Sequence, residues 1–324
     1  MILQERVKLL LFVLLSISLN SFSTNTKFYN ISDTYGITSG EAFSICKDQY
    51  GFIWTSTKTG ILRVTEGDCR NYELPCRTTD FVFVKLAYSN SQLFSYTNNG
   101  QIFHYDEPTD QFFFLTDLRE ETDNKHITIG TIVADTSNAL WIASSIGLFK
   151  YENNTLTKIS QTEEDIKHLT FYDDNHLFYI TSAGILLLNI STSENRLLYS
   201  NTTEDFFQVS SLYYDDQLKR LWIGTGSAGL FYYDIIRKFL SDIPIRNFPK
   251  QPILAIRKDA KNTLLIGIDG QGIWNISEKG DTILHIYKED LDNPFSLRGD
   301  GVYDILCDGS KKLDSHIHRK AVFL

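Results

Sequence analysis

Apolar and polar positions alternate along most of the chain with a period of two. Around residues 102–106, Ile102, His104 and Asp106 fall on one side while Phe103 and Tyr105 fall on the other. Successive side chains of a strand point to opposite faces, and no 3.6-residue stripe competes, so the pattern predicts strands rather than helices. The strands recur on a template: an alternating strand, a polar turn often opened by Asp, a second strand carrying an aromatic, a short loop ending in Gly, then a third strand. Six segments fit it, with marker positions Trp54, Phe94, Trp141, Phe178, Trp222 and Leu265 separated by 40, 47, 37, 44 and 43 residues. Blade-like units of about 40–45 residues have this period. Each unit has room for a fourth strand, ending in stretches such as Gln111-Phe112-Phe113-Phe114 and Lys238-Phe239-Leu240. The predicted fold is all-β, a β-propeller of radially arranged four-stranded sheets. The second-strand aromatic is expected to pack between neighbouring blades. The Gly opening the third strand is expected to supply a backbone conformation, or a close approach, that a Cβ would obstruct.

Composition narrows the function classes. A hydrophobic fraction of 42% with 13% aromatics is ample for a packed core and excludes disorder. The net charge of -9, with no basic run in the body of the chain, argues against a nucleic-acid partner, because phosphate neutralisation needs clustered Lys and Arg. Arg6 and Lys8 precede the apolar run Leu9 to Leu19, followed by Ser21-Phe22-Ser23, which is the layout of a secretory signal peptide over residues 1–23. A membrane anchor needs about 20 apolar residues, and no second stretch is long enough to span a bilayer. The expected product is periplasmic, a propeller over residues 24–307 followed by an atypical tail, 308–324. Cys46, Cys69, Cys76 and Cys307 are too few and too irregular for a disulfide scaffold; Cys69 and Cys76 could bridge or stay as thiols.

The pattern Ile-x-x-Asp-x-x-Gly-x-hydrophobic-Trp-Ile-Gly-Thr-x-x-Gly-Leu, best seen from Ile45 to Ile61 and from Tyr214 to Tyr233, resembles the two-component regulator propeller repeat. The resemblance covers about residues 27 to 307, with Trp replaced by Phe94, Phe178 and Leu265 in units two, four and six. Repeats of this kind form the periplasmic sensor region of hybrid two-component regulators in polysaccharide-degrading gut bacteria. The resemblance implies a seven-bladed propeller, here six complete blades and an incomplete seventh. It implies an oligosaccharide or a neighbouring sensor domain as partner, with a homodimer in the full-length context. In the family a second propeller, an immunoglobulin-like domain, a membrane span and kinase, receiver and DNA-binding modules follow; the chain is expected to lack them.

Local motifs yield to the repeat. Gly224-Thr-Gly226-Ser-Ala-Gly229 matches a dinucleotide fingerprint, but that needs a following helix, and Leu230-Phe-Tyr-Tyr-Asp234 reads as a strand, so no cofactor is expected. His316 and His318, the closest histidine pair, lack a third metal ligand nearby, and the acid pairs Glu163-Glu164-Asp165 and Asp215-Asp216 read as solvated turn residues. A propeller glycosidase needs two converging carboxylates. The loops between second and third strands offer one, Asp269, although longer connections such as 117–128 stay open as donors. The same loops are rich in Ser, Thr, Asn and Gln, with Phe206, Phe207 and Phe248 nearby, a combination that suits a sugar as well as a turn. The expectation of ligand contacts on Lys58, Asn98, Ser145, Asp269 and Gln271, with no catalytic residue and no metal, rests mainly on the family resemblance. A propeller hydrolase or lyase and an interaction scaffold without small ligand are the alternatives.

Two expectations concern the ends. Lys27-Phe28-Tyr29-Asn30-Ile31 has the character of a fourth strand that closes the ring on the last blade. Gly301 to Asp308 starts a seventh unit, yet Lys312 to Lys320 lacks both alternation and the aromatic-to-Gly stretch. One choice of synonymous codons for that stretch, read one base out of phase, gives Asn-Trp-Ile-Ala-Ile-Tyr-Thr-Gly. That matches the template at Leu140 to Gly147 and predicts a frameshifted gene, leaving a lone first strand at 302–307.

Overall fold

A computed structural model describes residues 26–30, 35, 41–58, 60–65, 67–160, 163–200, 208–307 and 321–323. The signal segment, Phe206, Phe207, His316, His318 and the tail stretch 308–320 lie outside the described residues. Six sheets of four antiparallel strands follow one another in chain order. Their first strands are Ala42–Lys47, Val84–Ser89, Ile129–Ala134, Leu169–Asp173, Val209–Asp215 and Ile253–Lys258. Each first strand touches the first strand of the next blade, and Asp304–Leu306 fills the seventh place between Ile253–Lys258 and Ala42–Lys47. The ring of inner strands is therefore closed with seven members, around an axial channel.

The second-strand marker residues explain how the blades hold together. Trp54, Phe94, Trp141, Phe178, Trp222 and Leu265 are all buried. Trp54 packs with Leu86, Leu93 and Phe103 of blade two, Trp141 with Leu169 and Leu177 of blade four, and Trp222 with Ile253 and Leu264 of blade six. Phe94, Phe178 and Leu265 do the same at the alternate interfaces. The last interface joins Leu306 to Ala42 and Ile45. Each such side chain contributes about 1.5–3 kcal/mol by leaving water, and smaller residues at blades two, four and six still fill the same place.

The Asp of the repeat has two tasks. Asp48 Oδ1 accepts the backbone N–H groups of Tyr50 and Phe52, both at 2.9 Å, and its Oδ2 accepts the indole N–H of Trp54 at 2.7 Å. Asp135 does the same for Ser137, Ala139 and Trp141 at 2.9, 3.0 and 2.9 Å. In both blades the Asp lies six residues before the Trp. In blade five it lies seven before, and the indole nitrogen of Trp222 is left without a partner. Asp215 is instead paired with Lys258 of blade six at 2.9 Å and is 2% exposed. The expectation of a solvated Asp215 is thereby corrected: a buried ammonium from the next blade takes the place of the indole.

The Gly positions behave as expected, and Gly272 shows why. Its φ is +71°, and a Cβ there would lie 2.1 Å from the carbonyl oxygen of Tyr287. The strand after Gly229 is Leu230–Asp234, so the glycine-rich segment before it is a blade turn. One residue bulges near the start of the inner strand in blades one, three, five and six, leaving Phe43, Gly130, Ser210 and Leu254 unpaired with the second strand. Hydroxyls tie adjacent blades at this level: Ser56 donates to Val84 O at 2.7 Å, Thr131 to Lys167 O at 3.0 Å and Ser211 to Ile253 O at 2.8 Å.

The ends depart from expectation. Residues 26–30 do not complete a four-stranded blade. Phe28 is buried among Leu265, Ile273, Leu297, Val302 and Ile305, and its backbone N–H donates to Phe295 O at 2.8 Å. The segment caps blade six, and Asp304–Leu306 closes the inner ring. That strand is not alone either, because Ala321–Phe323 pairs with it in parallel. An inner strand without its meander partner exposes a row of N–H and C=O groups, which take the strand within reach. All four cysteines are thiols, Cys69 and Cys76 included.

Candidate functional site

Antiparallel blades put the turns between second and third strands at one end of the molecule. The turns between first and second, and between third and fourth, lie at the other. The five sequence-predicted residues all lie at the former end, in four different blades. Asn98 Oδ1 accepts the backbone N–H groups of Val82 and Phe83 at 2.7 and 3.2 Å, and Ser145 Oγ accepts that of Thr128 at 3.0 Å. Gln271 Oε1 accepts from Lys288 Nζ at 2.9 Å. These groups fasten the turn to the connection that enters an inner strand, which is the turn-making role weighed against a sugar contact. Lys58 and Asp269 are exposed. Phe248 packs edge-on to Trp274 with ring centroids 5.2 Å apart and serves an interblade contact. In the connection 117–128, Asp117 is buried, caps the short helix Leu118–Thr122 and pairs with Arg119 at 3.0 Å.

The opposite end carries a cleft of about 560 Å³ between blades one and two. It lies within the roughly 300–1,000 Å³ range of small-molecule pockets. Its walls come from the turn after the first strand of blade one, with Asp48, Tyr50 and Phe52, and the turn after the third strand of blade two, with Asp106, Glu107 and Asp110. Tyr88 and Tyr105 form the side toward blade two. Tyr50, 59% exposed, spans the mouth and donates to Glu107 Oε1 at 2.6 Å, and that hydrogen bond pushes the Tyr50 hydroxyl above its ordinary pKa. Gln49 N–H donates to Tyr88 Oη at 2.8 Å.

Arg63 anchors the floor. Its guanidinium lies 5.2 Å from the ring centre of Phe52 and 5.4 Å from that of Trp54, and it pairs with Asp110 at 3.1 Å. Asp110 also accepts from Arg70, from Tyr72 at 2.7 Å and from Tyr105 at 2.5 Å. Burial works to raise the Asp110 carboxyl, but hydrogen bonds from Tyr105 and Tyr72 and the charges of Arg63 and Arg70 outweigh it and hold the group low. Burial, and then the bond to Asp110, push Tyr105 up to about 12. Burial lowers His104, whose Nε2 lies 2.8 Å from Gln92 Oε1, while Asp106 opposes that shift.

The cleft thus offers aromatic faces, hydroxyls and fixed charges. Its carboxylates are engaged: Asp48 holds its turn and Trp54, Asp106 accepts from Thr109 at 2.6 Å, Glu107 holds Tyr50, and Asp110 holds two arginines and two tyrosines. None of the five predicted residues lines it. The sequence does contain its aromatics, but the pairing of a turn near residue 50 with one near 108 arises only when neighbouring blades are placed side by side.

No family model matches the chain, and no curated protein matches it. Among solved structures, the extracellular domain of the hybrid two-component system BT3049 from B. thetaiotaomicron superposes with a TM-score of 0.62 at 16% identity, over 81% of this chain and 36% of that one. The extracellular domain of the hybrid two-component system BT4673 from the same organism gives 0.62 at 20%, over 86% and 36%. YCF48 from Cyanidioschyzon merolae gives 0.58 at 12%, over 76% and 85%. The chain therefore shares its β-propeller fold with the extracellular domains of B. thetaiotaomicron two-component systems, and spans a little over one third of their length.

Proposed function

We propose that the chain is an extracytoplasmic sensor propeller of the two-component regulator propeller repeat family, exported by its N-terminal signal segment, and that it recognises an oligosaccharide without transforming it. The cleft between blades one and two carries the proposal. Tyr50, Phe52, Tyr88 and Tyr105 surround it, and hydroxyls, Gln92 and the Arg63–Asp110 pair stand beside their rings. Sugars present apolar ring faces and polar edges, so stacking surfaces beside fixed hydrogen-bonding groups suit them. The fold shared with the extracellular domains of two-component systems supports the sensing role; because the same fold also occurs in YCF48, the cleft and not the fold carries the assignment. Among the described residues no helix is long and apolar enough to cross a membrane.

A hydrolase would need a carboxyl kept protonated near neutral pH to donate a proton to the leaving group. Asp110 is held in the opposite direction, and the other cleft carboxylates are tied to turns or to Tyr50. The end bearing Lys58, Asn98, Ser145, Asp269 and Gln271 is the second proposed contact surface, for a glycan or a neighbouring sensor domain, because Lys58 and Asp269 are exposed there.

With a glycan that binds the wild type, Tyr50→Ala should weaken binding about tenfold or more, ~1.4 kcal/mol, and Lys58→Ala/Asp269→Ala should leave it unchanged. The reverse result moves the site to the opposite end. Unchanged affinity in both variants rejects both surfaces.

A further inference from the structure

The axial channel is a second cavity, about 440 Å³, walled by the inner strands. Its charged groups are Lys85 from blade two, Arg257 from blade six and Asp304 from the seventh inner strand, with the imidazole of His168 beside blade four. Asp304 is already engaged on both sides. Its Oδ1 lies 2.7 Å from Arg257 Nη2, and its Oδ2 accepts from the backbone N–H of Ile45 at 3.1 Å and from Ser44 Oγ at 3.3 Å. Lys85 has a weaker partner, the ring face of Phe83, 5.0 Å away, and no carboxylate within ion-pair distance among the described residues.

His168 adds a polar edge without adding charge. The Thr131 hydroxyl donates to Lys167 O at 3.0 Å, so its oxygen, 3.1 Å from His168 Nδ1, accepts the imidazole proton. Burial, with the charges of Lys85 and Lys167, pushes His168 down to about 3, so it is neutral at physiological pH. Burial also lowers Lys85, which Asp304 opposes and Arg257 reinforces. The channel wall therefore holds two cations against one anion in a chain whose net charge is -9. An ammonium removed from water is costly unless a counter-charge meets it.

We infer that the axial channel binds an oxyanion, a carboxylate or sulfate group, with Lys85 as its counter-charge. Lys85 supplies the attraction. Arg257, held in place by Asp304, contributes its remaining N–H donors, and the inner strands flank the bound group. The ring of blades makes the site, because Lys85, Arg257 and Asp304 come from three blades that only closure brings together. The chemistry fits two sources, a free small anion and the acidic group of a uronate- or sulfate-bearing sugar.

The charged groups of the channel are not those of the interblade cleft, with which it shares Tyr88, so its test is separable from the test of that cleft. Inorganic sulfate, acetate, a sulfated disaccharide and its neutral counterpart are titrated separately into the folded protein at constant ionic strength, following the His168 ring signals by NMR and the heat of binding. Saturable shifts with sulfate or acetate are expected, and none with the neutral sugar. Lys85→Met should weaken the interaction about tenfold or more, and Lys85→Arg should retain it, with melting curves showing that both variants fold. Tighter binding of the sulfated disaccharide than of sulfate assigns the anion to a sugar, and equal binding assigns it to a free ion. The absence of any saturable shift overturns the inference, as does unchanged affinity in Lys85→Met.

Discussion

Asp135 shows how much one residue of the repeat does. Its carboxylate accepts four hydrogen bonds, two from Ser137 and one each from Ala139 and the indole of Trp141, in a site where it is 4% exposed. Asp135→Ala should cost about 2–4 kcal/mol, because the turn N–H groups and the buried indole N–H lose their acceptor. Burial works to raise the Asp135 carboxyl, but the bonds from Ser137, Trp141 and Ala139 outweigh it and hold it below its ordinary value, as similar contacts do for Asp110 and Asp173. A carboxyl depressed in the folded state stabilises above its unfolded pKa, and that stability is lost as pH falls through the folded value. The melting temperature should therefore hold down to about pH 5 and drop below about pH 4, less steeply in Asp135→Ala. Equal acid slopes in the two proteins would contradict this. Gly272→Ala should destabilise by about 2 kcal/mol or more, from backbone strain at positive φ and a clash with Tyr287 O. The template made these glycines and aromatics legible, since each recurs at a fixed place in the period. The role of the Asp was not, because the six-residue offset to the Trp has meaning only once the turn is folded. The seven-residue offset at Asp215, which sends it to Lys258, has the same hidden cause.

At the scale of elements, the blades and the seventh inner strand were legible, and the role of the N-terminal segment was not. Alternation and the period placed all six sheets, because a strand buried against two neighbours needs that pattern whatever its partners. The segment around Phe28 carries the same alternation, yet docks as a cap on blade six. A short aromatic strand pattern cannot distinguish pairing from docking when its partner strands lie far away in the chain. Phe28→Ala should lower stability by about 3 kcal/mol, and deletion of residues 24–35 should lower the melting temperature by at least as much. An unchanged melting curve for either would mean that blade six does not depend on the cap. Asp304 joins blades six and one through Arg257, Ile45 and Ser44. Asp304→Ala should cost about 2 kcal/mol, since it leaves a partly buried guanidinium unpaired, and chemical denaturation would detect it. A loss below about 0.5 kcal/mol would show that the inner ring closes without this tie.

The whole molecule gathers residues that the sequence keeps apart. The predicted contact residues sat on the end chosen by analogy between turns, and three of the five fasten those turns to neighbouring connections. The cleft that combines aromatic faces with fixed charge lies at the other end, where two neighbouring blades meet, and the axial channel draws on all six blades and on Asp304 of the seventh inner strand. Such sites have no signature within one repeat, because their walls are assembled from different blades. The central claim is recognition without turnover. Its most direct test is to incubate the protein with a panel of oligosaccharides, measure binding, and recover each sugar for mass analysis. At least one glycan should bind saturably and be recovered intact after prolonged incubation. Recovery of a shortened or unsaturated product would contradict the claim, as would the absence of binding across the panel.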